Sequence, residues 1–454
     1  MVTEKSGERQ GSGTSGLPRQ MGLSGWVATG SSPRPWPELD TKQTADVTII
    51  GAGVSGLMAA QRLMQIDPNL RVVVLDADQS ANSGSGRSFG VSHFLPEHLG
   101  FGHASGGSLP FDCCGIDRNQ KAIAFMAKCA QDLGLPPHVF EVAPQVWGAA
   151  GRRGRRCLAD IAGYLTASST PFEWLDQTSL GTMTGSSFYS QGIKCLGASN
   201  LQPAAFVNAI SEHLGKWARI YENSPVLAFA KESGGWRIRT PKAQISTHKI
   251  ILTNNGHIEQ FGFATRRLLH LSRYVSMSDP LTKEQSIAIG EQPRWALMSV
   301  DPLGFSMRRV KLGSDERLVV TGGTSFHPSQ ETSPMRIRNA SWVHERKVKE
   351  RYPQFSDLRF AHHWSAMRCF SRNGGVVFGE LEPGLFGACC HNDMGITKDT
   401  LHGMAIAELV VQGGSPLADA ILKHPPPLTL PPAPLGALAV NTGLLWNEWR
   451  AGKE

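Results

Sequence analysis

Residues 47–56 read Val47-Thr48-Ile49-Ile50-Gly51-Ala52-Gly53-Val54-Ser55-Gly56, and the reading of this stretch decides the fold class. Val47 to Ile50 is a short β-branched run, as a buried parallel strand requires. Gly51, Gly53 and Gly56 follow with Gly-x-Gly-x-x-Gly spacing. Leu57, Ala60 and Met64 then recur at helical spacing until Pro68-Asn69 turns the chain. Arg71 to Leu75 is a second apolar strand, and Asp76 closes it about 20 residues past the last glycine.

Each part of this segment has a physical task. Gly51 permits the tight turn, Gly53 lets the backbone approach a pyrophosphate, and Gly56 lets helix and strand pack closely. The free N–H groups and positive dipole end at Val54 and Ser55 favour phosphate charge. Asp76, followed by Ala77, can accept hydrogen bonds from the ribose hydroxyls of an adenosine. Its charge repels a 2′-phosphate, which disfavours NADP. The motif by itself does not separate FAD from NAD.

The chain around this segment has 454 residues, 41% hydrophobic and 18% charged, a globular composition rather than a disordered one. Lys plus Arg (45) exceed Asp plus Glu (38) by 7. Much of that excess is Arg152-Arg153-Gly154-Arg155-Arg156, read as a solvated loop in preference to a patch for nucleic acid or an acidic partner. Eight cysteines, with no Cys-x-x-Cys pair, suggest neither a disulfide scaffold nor a zinc site. Reduced thiols, no metal and a cytoplasmic location are expected. No apolar run approaches the roughly 18 residues of a membrane span, and the charged start at Glu4, Lys5, Glu8 and Arg9 is unlike a signal peptide. Residues 1–44, rich in Gly, Ser and Pro, are expected to form a flexible arm. Residues 425–454, opening with Pro425-Pro426-Pro427, are expected to be a Pro-rich tail.

Soon after Asp76 comes Ser85-Gly86-Arg87-Ser88-Phe89-Gly90, a small-residue loop with one arginine that can run beneath a pyrophosphate and ribityl chain. With the strand and glycine turn, it resembles the D-amino-acid-oxidase-like FAD-dependent oxidoreductases. Pro35-Trp36-Pro37 looks like the branch that holds γ-glutamylputrescine oxidoreductase, glycine oxidase and sarcosine oxidase. The family usually shows Ser-Gly-Arg-Asn in the arginine loop, so Ser88 and Phe89 are departures. Two later stretches extend the likeness: Leu201 to Gly256, and Trp364 through His391-Asn392-Asp393-Met394-Gly395-Ile396-Thr397 to Gln412.

The resemblance implies an α/β fold. A Rossmann-like FAD domain would be assembled from residues 45–97, 191–265 and 351–424, and a mixed-sheet substrate domain from 98–190 and 266–350. It implies FAD as cofactor, with Ser85, Gly86, Arg87 and Ser88 near the pyrophosphate and Val226 against the adenine. Met394, Gly395, Ile396 and Thr397 would form a helix N-terminus beside the flavin, where the dipole stabilises the anion of reduced flavin. Some relatives attach FAD through a cysteine. Ala366 stands at that place, with Cys369 three residues on, so non-covalent FAD is expected.

Candidate catalytic residues are fewer. Arg309 is a candidate clamp for a substrate carboxylate, with surface charge as the alternative, and Arg308 is expected to be exposed. His391 is placed near the flavin as hydrogen-bond donor or proton acceptor, with a structural role as the alternative. There is no second glycine fingerprint between a strand and a helix, so electrons are expected from the substrate rather than NAD(P)H. The expected reaction is oxidation of a C–N bond in an amine or amino acid to an imine, with oxygen reoxidising the flavin to give hydrogen peroxide. The alternatives are a dehydrogenase that passes electrons to a quinone or protein, and a flavin-binding redox sensor without turnover.

Overall fold

The computed structural model describes residues 9–10, 22–30, 35–95, 113–301, 303–355, 357–392, 395–432, 435–452 and 454. Two mixed sheets organise them. In the first, the strands Leu385–Cys389, Gln244–Leu252, Gln43–Ile50, Val72–Leu75 and Arg219–Tyr221 lie side by side and parallel. Their apolar runs are buried on both faces: Val47, Ile49, Val72 to Leu75 and Ile250 to Leu252 are almost wholly enclosed. That burial explains why they read as continuous hydrophobic runs without alternation. Ala228–Glu232 and Gly235–Arg239 add an antiparallel meander to the first half of Gln244–Leu252, and Val377–Glu382 pairs antiparallel with Leu385–Cys389.

The helix Val54–Ile66 returns from the first strand and buries Leu57, Met58, Ala60 and Leu63. Each large apolar side chain so enclosed contributes about 1.5–3 kcal/mol. The late helix Gly395–Gln412 packs directly on it. Gly403 is the crossing point: a Cβ there would lie 2.4 Å from the Ser55 carbonyl oxygen. This close approach seats the first turn of the helix Val54–Ile66 against the middle of the late helix.

The second sheet runs Phe360–Phe370, Leu269–Ser278, Asp315–Phe326, Ser306–Leu312, Trp295–Ser299, Phe140–Ala149, Gln191–Leu201 and Val91–Ser92, with Phe172–Asp176 also paired to Gln191–Leu201. The expected segment boundaries shift accordingly. Gln191–Leu201 and Phe360–Phe370 were assigned to the cofactor segments, yet they pair with Phe140–Ala149 and Leu269–Ser278 in the second sheet. A strand pattern specifies its faces, and only the long-range pairing specifies its sheet.

Three further expectations are corrected. Within the expected flexible arm, Gly25–Ala28 is a short helix whose Trp26 is fully buried and donates Nε1–H to the Ser88 carbonyl at 2.8 Å. Within the expected tail, residues 435–451 form a helix that buries Leu444 against Leu271, Leu303 and Phe370. The arginine run is no loop, because it opens the helix Arg152–Ala167. Positive charge at a helix N-terminus is unfavourable. Here the Glu454 carboxylate accepts the Ala150 and Gly151 N–H groups at 2.8 and 2.6 Å, and Asp301 pairs with Arg153 at 3.0 Å. Among the described residues, no single helix is long and apolar enough to cross a membrane.

Candidate functional site

The glycine turn has the geometry of an anion cradle. Gly51 adopts φ +113°, which only glycine takes without strain. Gly56 lies so close that an added Cβ would stand 1.9 Å from the Gly51 carbonyl oxygen. Gly53 caps the helix Val54–Ile66 in an extended conformation and offers no side-chain acceptor. The Val54 N–H points instead to Ser85 Oγ at 3.2 Å, across the small gap above Gly53. Asp76 accepts the N–H groups of Ala52 at 2.7 Å and Asp78 at 3.0 Å. Burial nevertheless pushes its carboxyl up to about 6, against the lowering effect of those two bonds.

This cradle forms one wall of a long cavity that is partly open to solvent. At one end stand Leu75, Asp76, Ala77, Ser224 and Val226, all carried by the first sheet and its loops. Gly51, Gly53, Ser55, Ser85 and Ser88 line the middle, facing Gly395, Ile396 and Asp399 from the late helix. At the far end the two sheets meet: Thr253 to His257 leave the first sheet, while His270 and Ala366 to Cys369 belong to the second.

The turn before the late helix is strained in a useful place. Cys390 at φ +57° and Asn392 at φ +56° are non-glycine residues held in the left-handed region beside the cavity. Between them, His391 is almost fully buried, with Nδ1 2.6 Å from Asp399 Oδ1 and Nε2 3.0 Å from the Ala388 carbonyl oxygen. The other Asp399 oxygen accepts the Ser85 hydroxyl at 2.8 Å. Both neighbours of the His391 ring are therefore acceptors. Neither nitrogen offers a lone pair to the cavity, so His391 is placed as an anchor of the turn rather than as a proton acceptor.

The sequence-selected residues divide into three groups. Gly51, Gly53, Ser55, Asp76, Ala77, Ser85, Ser88, Val226, His391, Gly395 and Ile396 all line the cavity. Val54, Gly56, Gly86, Arg87 and Thr397 support it from behind. The Arg87 side chain turns away, donating to the carbonyls of Ser365 at 2.9 Å and Gly22 at 2.7 Å. Thr397 is enclosed by Ser92 and the His93 carbonyl. Met394 lies outside the described residues.

Arg309 stands apart from all of these. It is buried and committed to Glu316 at 2.5 Å and to the carbonyls of Gly290 and Gln292, and it lines no part of the cavity. Arg308, expected at the surface, is also buried and donates to the carbonyls of Phe89, Gly90 and Leu201. Strand alternation predicts opposite faces for two adjacent arginines, but both faces of Ser306–Leu312 are covered here.

Sequence reasoning missed Asp399, Glu259, His270 and Gln330. His270 is 3% exposed, its Nε2 is 2.7 Å from Glu259 Oε2, and its Nδ1 has no partner. No local spacing announces such a pair, because the two residues meet only where the second sheet begins.

The residues present suit a dinucleotide. Beyond the cradle, Gly395 and Ile396 bring a second helix N-terminus to the same cavity, where anionic charge is favoured. Residues 46–409 match the family model described as DAO, FAD dependent oxidoreductase. The chain belongs to the DAO family of FAD-dependent oxidoreductases.

Relatives and solved structures agree with that assignment. A probable oxidoreductase, OrdL, of Rhizobium meliloti (strain 1021) is 22% identical over 407 residues, covering 87% of this chain and 89% of that protein. Glycine oxidase from Geobacillus kaustophilus has a similar fold, with a TM-score of 0.66 at 15% identity over 82% of this chain and 96% of that one. L-proline dehydrogenase from P. horikoshii gives 0.64 at 13% identity, over 83% and 96%. As a DAO-family member, the chain is an FAD-dependent oxidoreductase. Two cysteines near the cavity suit the family's typical non-covalent cofactor. Cys369 lines it and Cys389 lies behind, and burial raises both thiols well above their ordinary value, which removes the thiolate that attachment requires.

Proposed function

We propose that this protein oxidises the C–N bond of a small amine or amino acid to an imine, which water hydrolyses, and that molecular oxygen takes the electrons to give hydrogen peroxide. The observation that carries the reading is the shape of the cavity. Its lining begins beside Asp76 and Val226, passes two helix N-termini, and ends between the two sheets, where a substrate can meet the ring end of the cofactor. The cavity thus unites cofactor and substrate space, and no second glycine fingerprint offers a nicotinamide site.

In this reading Gly51, Gly53, Ser55 and Ser85 hold the pyrophosphate. Asp76 holds the ribose, and Val226 covers the adenine. Gly395 and Ile396 present the positive end of the late helix to the flavin. FAD supplies the two-electron acceptor for hydride leaving the carbon next to nitrogen. The protein's part is to bind the amine, exclude water between the sheets and manage the proton on nitrogen. The first sheet is the cofactor portion, the second sheet the substrate portion, and the cytoplasm the site of action.

The test is turnover in air by the FAD-loaded protein, with glycine, L-proline, D-alanine, putrescine and benzylamine as probes. Peroxide formed in step with a carbonyl product supports the oxidase. Carbonyl product formed only when a quinone or dye is added favours a dehydrogenase.

A further inference from the structure

We propose that the helix Leu435–Ala451 and the arginine run that opens the helix Arg152–Ala167 form a docking surface for an anionic lipid bilayer. The helix Leu435–Ala451 is apolar on two sides. One side buries Leu444 against Leu271, Leu303 and Phe370. The other carries Leu438, Leu445 and Trp449 on one stripe at helical spacing, with Trp446 beside them. These four side chains are between 56% and 72% exposed, and the two indole rings lie 5.1 Å apart. A helix apolar on all sides is ordinarily covered, and clustered exposed apolar surface marks a contact site.

Charge decides what covers it. The helix has one acid, Glu448, which turns inward and accepts the Thr324 N–H at 3.0 Å, while Arg450 stays exposed beside Trp449. Just past the helix, the Glu454 carboxylate caps the N–H groups of Ala150 and Gly151, so the end of one helix abuts the first turn of the other. Arg152, Arg155 and Arg156 stand exposed on one face of that turn, opposite the buried Gly154 and Leu158. Asp160, a turn further on, is the one acid of that helix. Lys347 reaches the same junction and donates to the Gly452 carbonyl at 2.7 Å.

Exposed tryptophans and leucines bordered by arginines suit a lipid interface. Indole rings settle at headgroup depth, apolar side chains reach the acyl boundary, and the cations meet anionic headgroups. The helix then lies in the interface plane. Other occupants fit less well. A second copy docked through the same face would set two arginine clusters against each other, and a nucleic acid would meet the arginines but leave Leu438 and Leu445 in water.

The test mixes the FAD-loaded full chain with vesicles of phosphatidylcholine, alone or with phosphatidylglycerol added, and measures the protein that sediments with them. Binding to the anionic vesicles should be at least ~10-fold tighter than to the neutral ones, weaken as salt is raised, and shift the tryptophan emission to the blue. The triple substitution Arg152→Gln, Arg155→Gln and Arg156→Gln should remove most of the anionic preference. The double substitution Trp446→Ser and Trp449→Ser should weaken binding to the anionic vesicles by at least ~10-fold. Both variants should keep stoichiometric FAD, because neither touches the cofactor cavity. Wild-type protein that stays in the supernatant with both kinds of vesicle overturns the proposal, as does binding that neither variant weakens. A dimer in solution that the double tryptophan variant splits assigns the stripe to self-association and overturns it as well.

Discussion

The Ser85 hydroxyl donates to the Asp399 carboxylate at 2.8 Å, joining residues 314 positions apart in the chain. Ser85 also receives the Val54 N–H, and Asp399 holds His391. The phosphate turn, the arginine loop and the late helix are thereby locked to one another before any cofactor arrives. The arrangement has a cost, because Asp399 sets a negative charge beside the space proposed for a pyrophosphate. Asp399→Asn keeps an acceptor for Ser85 and removes roughly 1 kcal/mol of repulsion. The expected outcome is about fivefold tighter FAD binding, read by fluorescence titration of the apoprotein. Unchanged or weaker binding would place the pyrophosphate elsewhere.

Two glycine substitutions separate cofactor space from packing space. Gly53→Glu adds a carboxylate above a gap bounded by Ser85 Oγ at 3.3 Å. It should give folded, colourless protein. Gly56→Ala drives a Cβ into the Gly51 carbonyl, so it should lower the melting temperature and lose FAD together. Stoichiometric FAD in the Gly53 variant would show that this turn is not the phosphate site.

Asp76 gives a pH-dependent signature. Its carboxyl is raised from 3.8 to about 6 in the folded chain. Between those values the folded apoprotein retains a proton that the unfolded chain has lost, so stability from this group is greatest below 3.8 and falls as pH rises to about 6. Asp76→Asn does not titrate. The melting temperature of the variant relative to wild type should therefore move in the variant's favour between pH 4 and pH 7, while FAD binding weakens for want of a ribose acceptor. A difference that stays flat across that range would contradict the burial of this carboxylate.

The adjacent arginines should behave as structural groups. Arg308→Met leaves the carbonyls of Phe89, Gly90 and Leu201 without their donor, at a cost of about 2–3 kcal/mol. Arg309→Met should lower stability while changing KM for the best amine by less than about twofold. A large rise in KM would restore the carboxylate clamp.

These arginines also mark where the sequence stops being informative. The first strand, the glycine turn, the helix Val54–Ile66 and Asp76 are local, with every role set by neighbours within 30 residues, and all are legible. The stripe Leu401 and Ala405 likewise foretells the buried face of the late helix, where both residues are enclosed. Sheet membership is different. Gln191–Leu201 and Phe360–Phe370 carry ordinary strand patterns, and only pairing with distant strands assigns them. Buried polar pairs are the least legible of all. His270 and Glu259 come together because the chain passes from the first sheet to the second through Asn255–Phe261, and Arg308 is buried because carbonyls from two remote segments converge on it.

The most direct test of the central claim is an anaerobic titration of the FAD-loaded protein with each probe amine, following the flavin absorbance. The account predicts that at least one amine or amino acid bleaches the flavin fully at one equivalent of substrate and yields the matching imine or carbonyl product. It further predicts that admitting air restores the colour with one equivalent of peroxide. A flavin that stays oxidised against every amine, yet is bleached by a substrate with no C–N bond, would contradict it.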